Sequence, residues 1–153
     1  MSKIASADRV SFAELLEFIR PRHRATFVTV KKSGELQISP VTCGGRRRGS
    51  DRHLHVPERA KAANVRRTPP AVSLCIHSDE WNGPYVQVNG TAELIDLPDS
   101  VEPLVDYYRS IAGDHPDWDE YREAMRKQGK SLIRVTVDSW GGPIATGGFP
   151  PGR

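Results

Sequence analysis

Residues 85–95 read Tyr-Val-Gln-Val-Asn-Gly-Thr-Ala-Glu-Leu-Ile and decide the class of fold. Apolar and polar residues alternate along this stretch, with Val86, Val88, Ala92 and Leu94 on one face and Gln87, Asn89, Thr91 and Glu93 on the other. Such alternation predicts a β-strand with one face in the core. Strands longer than about seven residues belong mostly to barrels or large sheets, and Gly90 marks a position where this strand bends.

Shorter segments with strand character surround this one. They are Arg24–Lys31, Leu36–Thr42, Arg52–Val56, Ala71–His77 and Ser131–Asp138, and the first two flank a turn at residues 32–35 that contains Gly34. The six strands have mostly hairpin-length connections. This order favours a mainly β, antiparallel barrel with peripheral helices over a doubly wound parallel sheet.

Four helices are predicted around the strands. Ser11 and Glu14 form a capping box before the apolar face of Phe12, Leu15, Leu16 and Ile19, and Pro21 ends that helix. Pro57 suits the first turn of a second helix that continues over residues 58–67. The last two carry apolar stripes after Ser100 and after Asp117: Val101, Leu104, Val105 and Tyr108, then Trp118, Tyr121 and Met125.

Length and composition fit one domain. The chain has 153 residues and 37% hydrophobic composition, so we expect a single domain over residues 1–153 with a flexible Gly/Pro-rich tail from about residue 141. No segment has the apolar length of a membrane helix or signal peptide, which predicts a soluble, cytoplasmic protein without a membrane partner. Cys43 and Cys75 are expected to be free thiols, with Cys75 in an apolar run of the core.

The basic residues are concentrated in one segment. Residues 44–67 contain eight bases and two acids, a net charge of +6, whereas the rest of the chain carries −3. A local basic region in an otherwise acidic protein favours an anion site over a general affinity for nucleic acid. The Arg46-Arg47-Arg48 run also lacks the interleaved aromatic residues typical of nucleic-acid binding, so no nucleic-acid partner is expected.

Arg59 and Lys61 fall in the first turn of the predicted second helix, where the helix dipole disfavours bases. An anion bound between them would explain this placement, and the alternative is that both are simply solvated. His53 and His55 on one strand face, followed by Glu58, resemble a metal-ligand pattern only loosely, because the spacing to Glu58 is short. We therefore expect a half-exposed histidine pair and no metal.

Motifs for nucleophilic catalysis, phosphate-binding glycine loops and zinc-protease helices do not occur in this sequence. Reactivity would then come from a bound cofactor, and no side chain is predicted to be strictly catalytic.

Several of these features together resemble a known family. The segment Pro57-Glu58-Arg59-Ala60-Lys61-Ala62-Ala63-Asn64-Val65-Arg66-Arg67, followed by Pro70 and the strand from Ala71, is similar to the central segment of flavin/deazaflavin oxidoreductases related to pyridoxamine 5'-phosphate oxidase. Residues 85–93 resemble the long strand that follows it. Residues 108–113 with 117–122 resemble the helical pair of the branch that binds coenzyme F-420.

The resemblance implies a split β-barrel homodimer with a coenzyme in each of two clefts between the subunits. It assigns the coenzyme phosphate to Arg59, Ala60 and Lys61, supported by Asn64, and places Gln37, Ser39 and Val41 beside the ring system, with Trp81 and Tyr85 lining the cleft. The apolar face of Val86 and Val88 is expected to contribute to the dimer.

The expected activity is hydride transfer between the deazaflavin F-420 and an electron-poor small molecule. The basic loop of residues 46–48 suits the long anionic tail of F-420. An FMN-dependent enzyme of the same fold and a coenzyme-binding protein without turnover are the alternatives.

Overall fold

The computed structural model of the chain describes residues 10–45, 53–57, 62–66, 71–80 and 83–144. Its elements follow in the order α1 (Phe12–Ile19), β1 (Arg24–Val30), β2 (Leu36–Thr42), β3 (Gly44–Gly45), β4 (His53–Pro57), α2 (Ala62–Val65), β5 (Ala71–His77), β6 (Tyr85–Ile95), α3 (Val101–Ala112), α4 (Trp118–Lys127) and β7 (Leu132–Trp140).

The described strands form one antiparallel sheet in the order β2-β1-β5-β6-β7-β4-β3. The sheet is curled. Strand β2 is at one edge and β4 is near the other, and the two are not paired, yet some of their Cα atoms lie within 8 Å of each other. The prediction of a mainly β antiparallel fold with peripheral helices is confirmed. Because β2 and β4 are not hydrogen-bonded to each other, the barrel is open between them, and this opening is called here the β2/β4 seam.

The core lies on the inner face of this curled sheet. It takes alternate residues from each strand, including Phe27, Leu74, Val86, Val88 and Val135, each fully buried. The predicted alternation of β6 is therefore confirmed. The prediction that the apolar face of β6 contributes to the dimer is wrong, because Val86 and Val88 are already 0% exposed within one chain.

Gly90 sits where β6 bends. The pairing of β6 with β7 shifts register between Asn89 and Gly90, which is a bulge at the predicted position. A Cβ at Gly90 would overlap the backbone carbonyl oxygen of Thr136 and come within 2.9 Å of a Val135 methyl group. Only glycine lets β7 pass this closely.

We expect Gly90→Ala to lower the free energy of unfolding by about 1–3 kcal/mol, the usual cost of overpacking, because the obstructing atoms belong to backbone that cannot rotate away. Urea denaturation measures this change. Gly45→Ala is the control, since a Cβ there meets no atom within 4 Å and the stability should stay within about 0.5 kcal/mol of the parent. Equal effects of the two substitutions would contradict the close approach.

Helices α1 and α2 add Leu15, Ile19 and Val65 to this core. In α1 the predicted capping box is present, with Ser11 Oγ accepting from the Glu14 backbone N–H at 3.2 Å and Glu14 accepting from the Ser11 backbone N–H at 3.3 Å. Helix α3 begins after Ser100 and ends before Gly113 as predicted, and buries Val101, Leu104 and Val105.

One local prediction is wrong, and one short strand was not predicted. Pro57 ends strand β4 instead of opening a helix, and the helical residues described after it are Ala62–Val65. Strand β3 was not predicted, because its two glycines carry no strand pattern. It forms because Gly44 pairs with His55 and lies under α3, where a Cβ would overlap Ser110 Oγ.

Candidate functional site

Asn64 joins α2 to the first two strands. Its Nδ2 donates to Thr29 Oγ1 at 2.9 Å and to Gln37 Oε1 at 2.7 Å. Thr29 is 1% exposed, and it faces Gln37 across the β1–β2 ladder. Asn64 therefore connects α2 to the inner faces of β1 and β2, and its support of the turn at residues 59–61 stays a prediction. Thr29 was not predicted as part of this group. The alternation of β1, in which Ala25, Phe27 and Thr29 share one face, could have indicated that it points inward.

Gln37, Ser39 and Val41 share the inner face of β2, since they occupy alternate positions and pair with Thr29, Phe27 and Ala25. Val41 is 9% exposed and belongs to the core. Ser39 differs, because its Oγ is buried and makes no hydrogen bond. A buried hydroxyl without a partner costs free energy, so Ser39 marks a place where a ligand atom would be stabilising.

Tyr85 lies apart from this group. It is paired with His77, at the opposite end of the sheet from Gln37, and occupies the opposite face to the buried Val86. Its backbone also exchanges hydrogen bonds with Ile144, so residues 141–144 of the Gly/Pro-rich tail extend the sheet. Within one chain, the structure does not bring Tyr85 beside Gln37 or Asn64.

Four of the predicted site residues lie outside the described residues: Arg59, Ala60, Lys61 and Trp81. The same holds for the Arg46–Arg48 run and for Glu58. Three of the described predicted residues, Asn64, Gln37 and Ser39, lie with the unpredicted Thr29 at the inner face of β1 and β2, and these four residues are called here the seam cluster.

The histidine prediction needs correction. His55 is fully buried instead of half exposed, because α3 covers the outer face of β3 and β4. Arg134 Nε donates to His55 Nε2 at 3.4 Å, and Arg134 also pairs with Glu93 at 3.5 Å. Since arginine only donates, Nε2 of His55 is the acceptor in this contact. No cluster of three metal-ligating side chains occurs among the described residues, and the expected absence of metal stays a prediction.

The two thiols are free, as predicted, but the buried one is Cys43. Burial raises the pKa of Cys43 to about 12, and a smaller degree of burial also raises that of Cys75. Both thiols are therefore protonated at neutral pH. Neither has the low pKa of an activated nucleophile, in agreement with the absence of a nucleophilic motif.

A cavity of about 490 Å³ lies beside the C-terminal end of β6 and the N-terminal end of β7. It is lined by Glu93, Asp96, Asp99, Arg134 and three apolar residues. Its charges are largely satisfied internally, because Asp96 accepts from Arg66 and Ser131 and Glu93 pairs with Arg134. Of the predicted site residues that the structure describes, none lines this cavity.

The family described as pyridoxamine 5'-phosphate oxidase matches residues 12–142, which covers all described helices and strands. The chain belongs to the pyridoxamine 5'-phosphate oxidase family. This family has oxidoreductase and flavin-binding members, and the resemblance stated from the sequence is confirmed.

Several solved structures have the same fold. A conserved hypothetical protein of Mycobacterium tuberculosis, Rv2991, is 18% identical, with 99% of this chain and 98% of that one covered and a TM-score of 0.73. An F-420 reductase is 16% identical, with 86% and 98% covered and a TM-score of 0.60. The heme storage protein HutZ of Vibrio cholerae is 16% identical, with 86% and 94% covered and a TM-score of 0.61. At these identities the likeness concerns the fold.

The seam cluster of this pyridoxamine 5'-phosphate oxidase family member fits a flavin-like coenzyme in two respects. Ser39 offers a buried hydroxyl with no partner, and Gln37 uses its Oε1 for Asn64 while its Nε2 makes no hydrogen bond with the described residues. Both groups are able to donate to the oxygen atoms of a coenzyme. Among the described residues, no helix is long and apolar enough to span a membrane.

Proposed function

We propose that this protein is an oxidoreductase that uses coenzyme F-420 and acts on an electron-poor small organic molecule. The observation that carries the proposal is the seam cluster, in which a buried, unpartnered hydroxyl and an amide with unused donors lie beside the helix that follows residues 59–61. Family membership supports a flavin-like coenzyme there.

Different residues of the chain are proposed to bind different parts of the coenzyme. Arg59 and Lys61, with the backbone of Ala60, neutralise and hold the coenzyme phosphate. Asn64 fixes the position of α2 through its two hydrogen bonds to Thr29 and Gln37. Ser39 and Gln37 then border the coenzyme at the seam, while Val41 beneath them keeps this part of the barrel apolar and dry.

Charge favours F-420 over FMN. The deazaflavin carries a glutamate tail in addition to its phosphate, and the segment of residues 44–67 has a net charge of +6. In this proposal the Arg46–Arg48 run meets that tail. The F-420 reductase with the same fold over 86% of this chain is a further support.

The bound deazaflavin would supply the hydride, so the chain need not supply a nucleophile. The thiols are protonated and one is buried, and neither is assigned a role. The contribution of the protein is to orient the coenzyme at the seam and to exclude water from it. The proton would come from solvent or from a nearby base.

We also propose a homodimer that completes the cleft. Its surface is the exposed apolar patch of Val30, Leu36 and Ile38, which are 45%, 57% and 63% exposed and lie on the outer face of β1 and β2. Because β2 is an edge strand of the described sheet, a second subunit seated on this patch also reaches the seam across that edge. Tyr85 and Trp81 of that second subunit would line the cleft.

Titration of the purified protein with F-420 and with FMN, followed by coenzyme fluorescence, tests the proposal. We expect both to bind and F-420 to bind more tightly, and the loaded protein should oxidise reduced F-420 with nitroaromatic compounds or quinones. Tighter binding of FMN would favour the FMN alternative, and binding without turnover would favour a carrier. Hemin serves as a third ligand, and binding of hemin alone would refute the proposal.

A further inference from the structure

Gln37 is held at a fixed orientation by a residue on another element. Asn64 Nδ2 lies 2.7 Å from Gln37 Oε1 and 2.9 Å from Thr29 Oγ1. An amide nitrogen only donates, so both oxygens act as acceptors toward Asn64. The Oε1 of Gln37 is therefore occupied, and the other atom of its amide, Nε2, must point away from Asn64.

The two donors of Gln37 Nε2 have no partner among the described residues, although the side chain is half buried. Ser39, two positions along the same face of β2, presents a buried Oγ that also has no partner. Two neighbouring hydrogen-bonding groups are thus left unused on one face of the seam. Buried polar groups in proteins are nearly always hydrogen-bonded, so a ligand atom is the physical explanation for the buried Ser39 Oγ. Gln37 Nε2 is not among the buried atoms, and its donors are free to reach the same ligand.

We infer that Asn64 is a positioning residue that fixes Gln37 as a hydrogen-bond donor to an acceptor oxygen of the coenzyme. This inference rests on the proposed function for the identity of the ligand, and it adds which atom binds and what orients it. Thr29 is the anchor of the arrangement, since it is buried and its only described side-chain hydrogen bond is the one from Asn64. A donor at this position selects ligands with a carbonyl or phosphate oxygen there and rejects ligands that present another donor.

Gln37→Glu tests this assignment with little change in shape. The introduced carboxylate still accepts from Asn64, so the apoprotein should keep the melting temperature of the parent to within a few degrees. Toward the ligand it replaces a donor by a charged acceptor, so we expect FMN affinity to fall by more than about 10-fold. Gln37→Met, which removes both the donor to the ligand and the acceptor for Asn64 without adding a charge, should lower affinity by about 3- to 10-fold.

Thr29→Val separates positioning from contact, because the Thr29 side chain is 1% exposed and its described hydrogen bond is the one from Asn64. It leaves Gln37 in place but removes one of the two acceptors that orient the Asn64 amide, so it should lower FMN affinity by about 2- to 5-fold, and this effect should vanish when Gln37 is already methionine. Riboflavin is titrated beside FMN to distinguish the acceptor. Equal losses for both ligands place it on the ring system, and a loss for FMN alone places it on the phosphate.

Gln128→Glu is the matched control, since it makes the same charge change at an exposed position after α4 and should leave FMN affinity unchanged. Unchanged FMN affinity in Gln37→Glu would overturn the inference while leaving the proposed function intact. A parent protein that binds neither coenzyme would instead refute the proposed function. In that case the melting temperature of the apoprotein still tests the orientation of the Asn64 amide. A large decrease in Gln37→Glu would mean that Asn64 directs its oxygen, and not its Nδ2, toward residue 37.

Discussion

Replacing Arg59 and Lys61 together by alanine is expected to lower coenzyme affinity by at least about 100-fold. Each base is proposed to make a charge-assisted hydrogen bond to the coenzyme phosphate, and such a bond contributes about 1.5–3 kcal/mol, or roughly 10- to 150-fold in the dissociation constant. Equilibrium titration with FMN and with F-420 measures the change. Riboflavin, which has no phosphate, should bind the double variant and the parent about equally.

Arg66→Ala is the control for this experiment. Arg66 belongs to the same basic segment, but its guanidinium is 3.3 Å from the carboxylate of Asp96 and its side chain is 58% exposed. Its removal should leave coenzyme affinity within about two-fold of the parent, because screening weakens the influence of an exposed charge that is already paired. Unchanged affinity in the Arg59→Ala, Lys61→Ala variant would leave two solvated bases and no phosphate site.

Salt distinguishes the two coenzymes. If Arg46–Arg48 meet the glutamate tail, added salt should weaken F-420 binding more steeply than FMN binding, because screening acts on each additional exposed charge pair. Equal salt dependence would remove the electrostatic reason for preferring F-420.

Elements determined by local pattern could be predicted closely from the sequence. Strands β2, β5 and β6 have the predicted bounds, because alternation or a continuous apolar run ended by turn residues defines each of them. The capping box of α1 and the Asp117 cap of α4 are likewise interactions between residues three positions apart. Such features depend on few neighbours, so the sequence carries them directly.

Features that depend on contacts between distant segments could not be predicted. The burial of His55 follows from α3, which lies about 50 residues later in the chain and packs over β3 and β4. The contact of Asn64 with Thr29 joins residues 35 positions apart, and only the family resemblance suggested a supporting role for Asn64. For the same reason, alternation in β6 predicted an apolar and a polar face, but it did not predict that the apolar face is already buried within a single chain.

The proposed dimer surface gives the second large expected effect. Ile38→Glu should convert the proposed dimer into a monomer. Two-fold symmetry places the substitution at the interface twice, so the loss of apolar burial alone is about 3–6 kcal/mol, or roughly 150- to 25,000-fold in the dimer dissociation constant. A carboxylate at this position also blunts an exposed β-strand edge, which should limit aggregation of the monomer. Sedimentation velocity over a range of concentrations measures the change.

Folding of the subunit should survive this substitution, because Ile38 is 63% exposed and points away from the inner face that carries Gln37 and Ser39. Coenzyme affinity should nevertheless fall with the dimer, since the cleft is proposed to need both subunits. Gln128→Glu adds the same negative charge after α4 and should leave both the dimer and the affinity unchanged. A parent protein that is monomeric at micromolar concentration with coenzyme bound would refute the two-subunit cleft. An Ile38→Glu protein that remains dimeric would instead place the interface on a surface other than the exposed apolar patch.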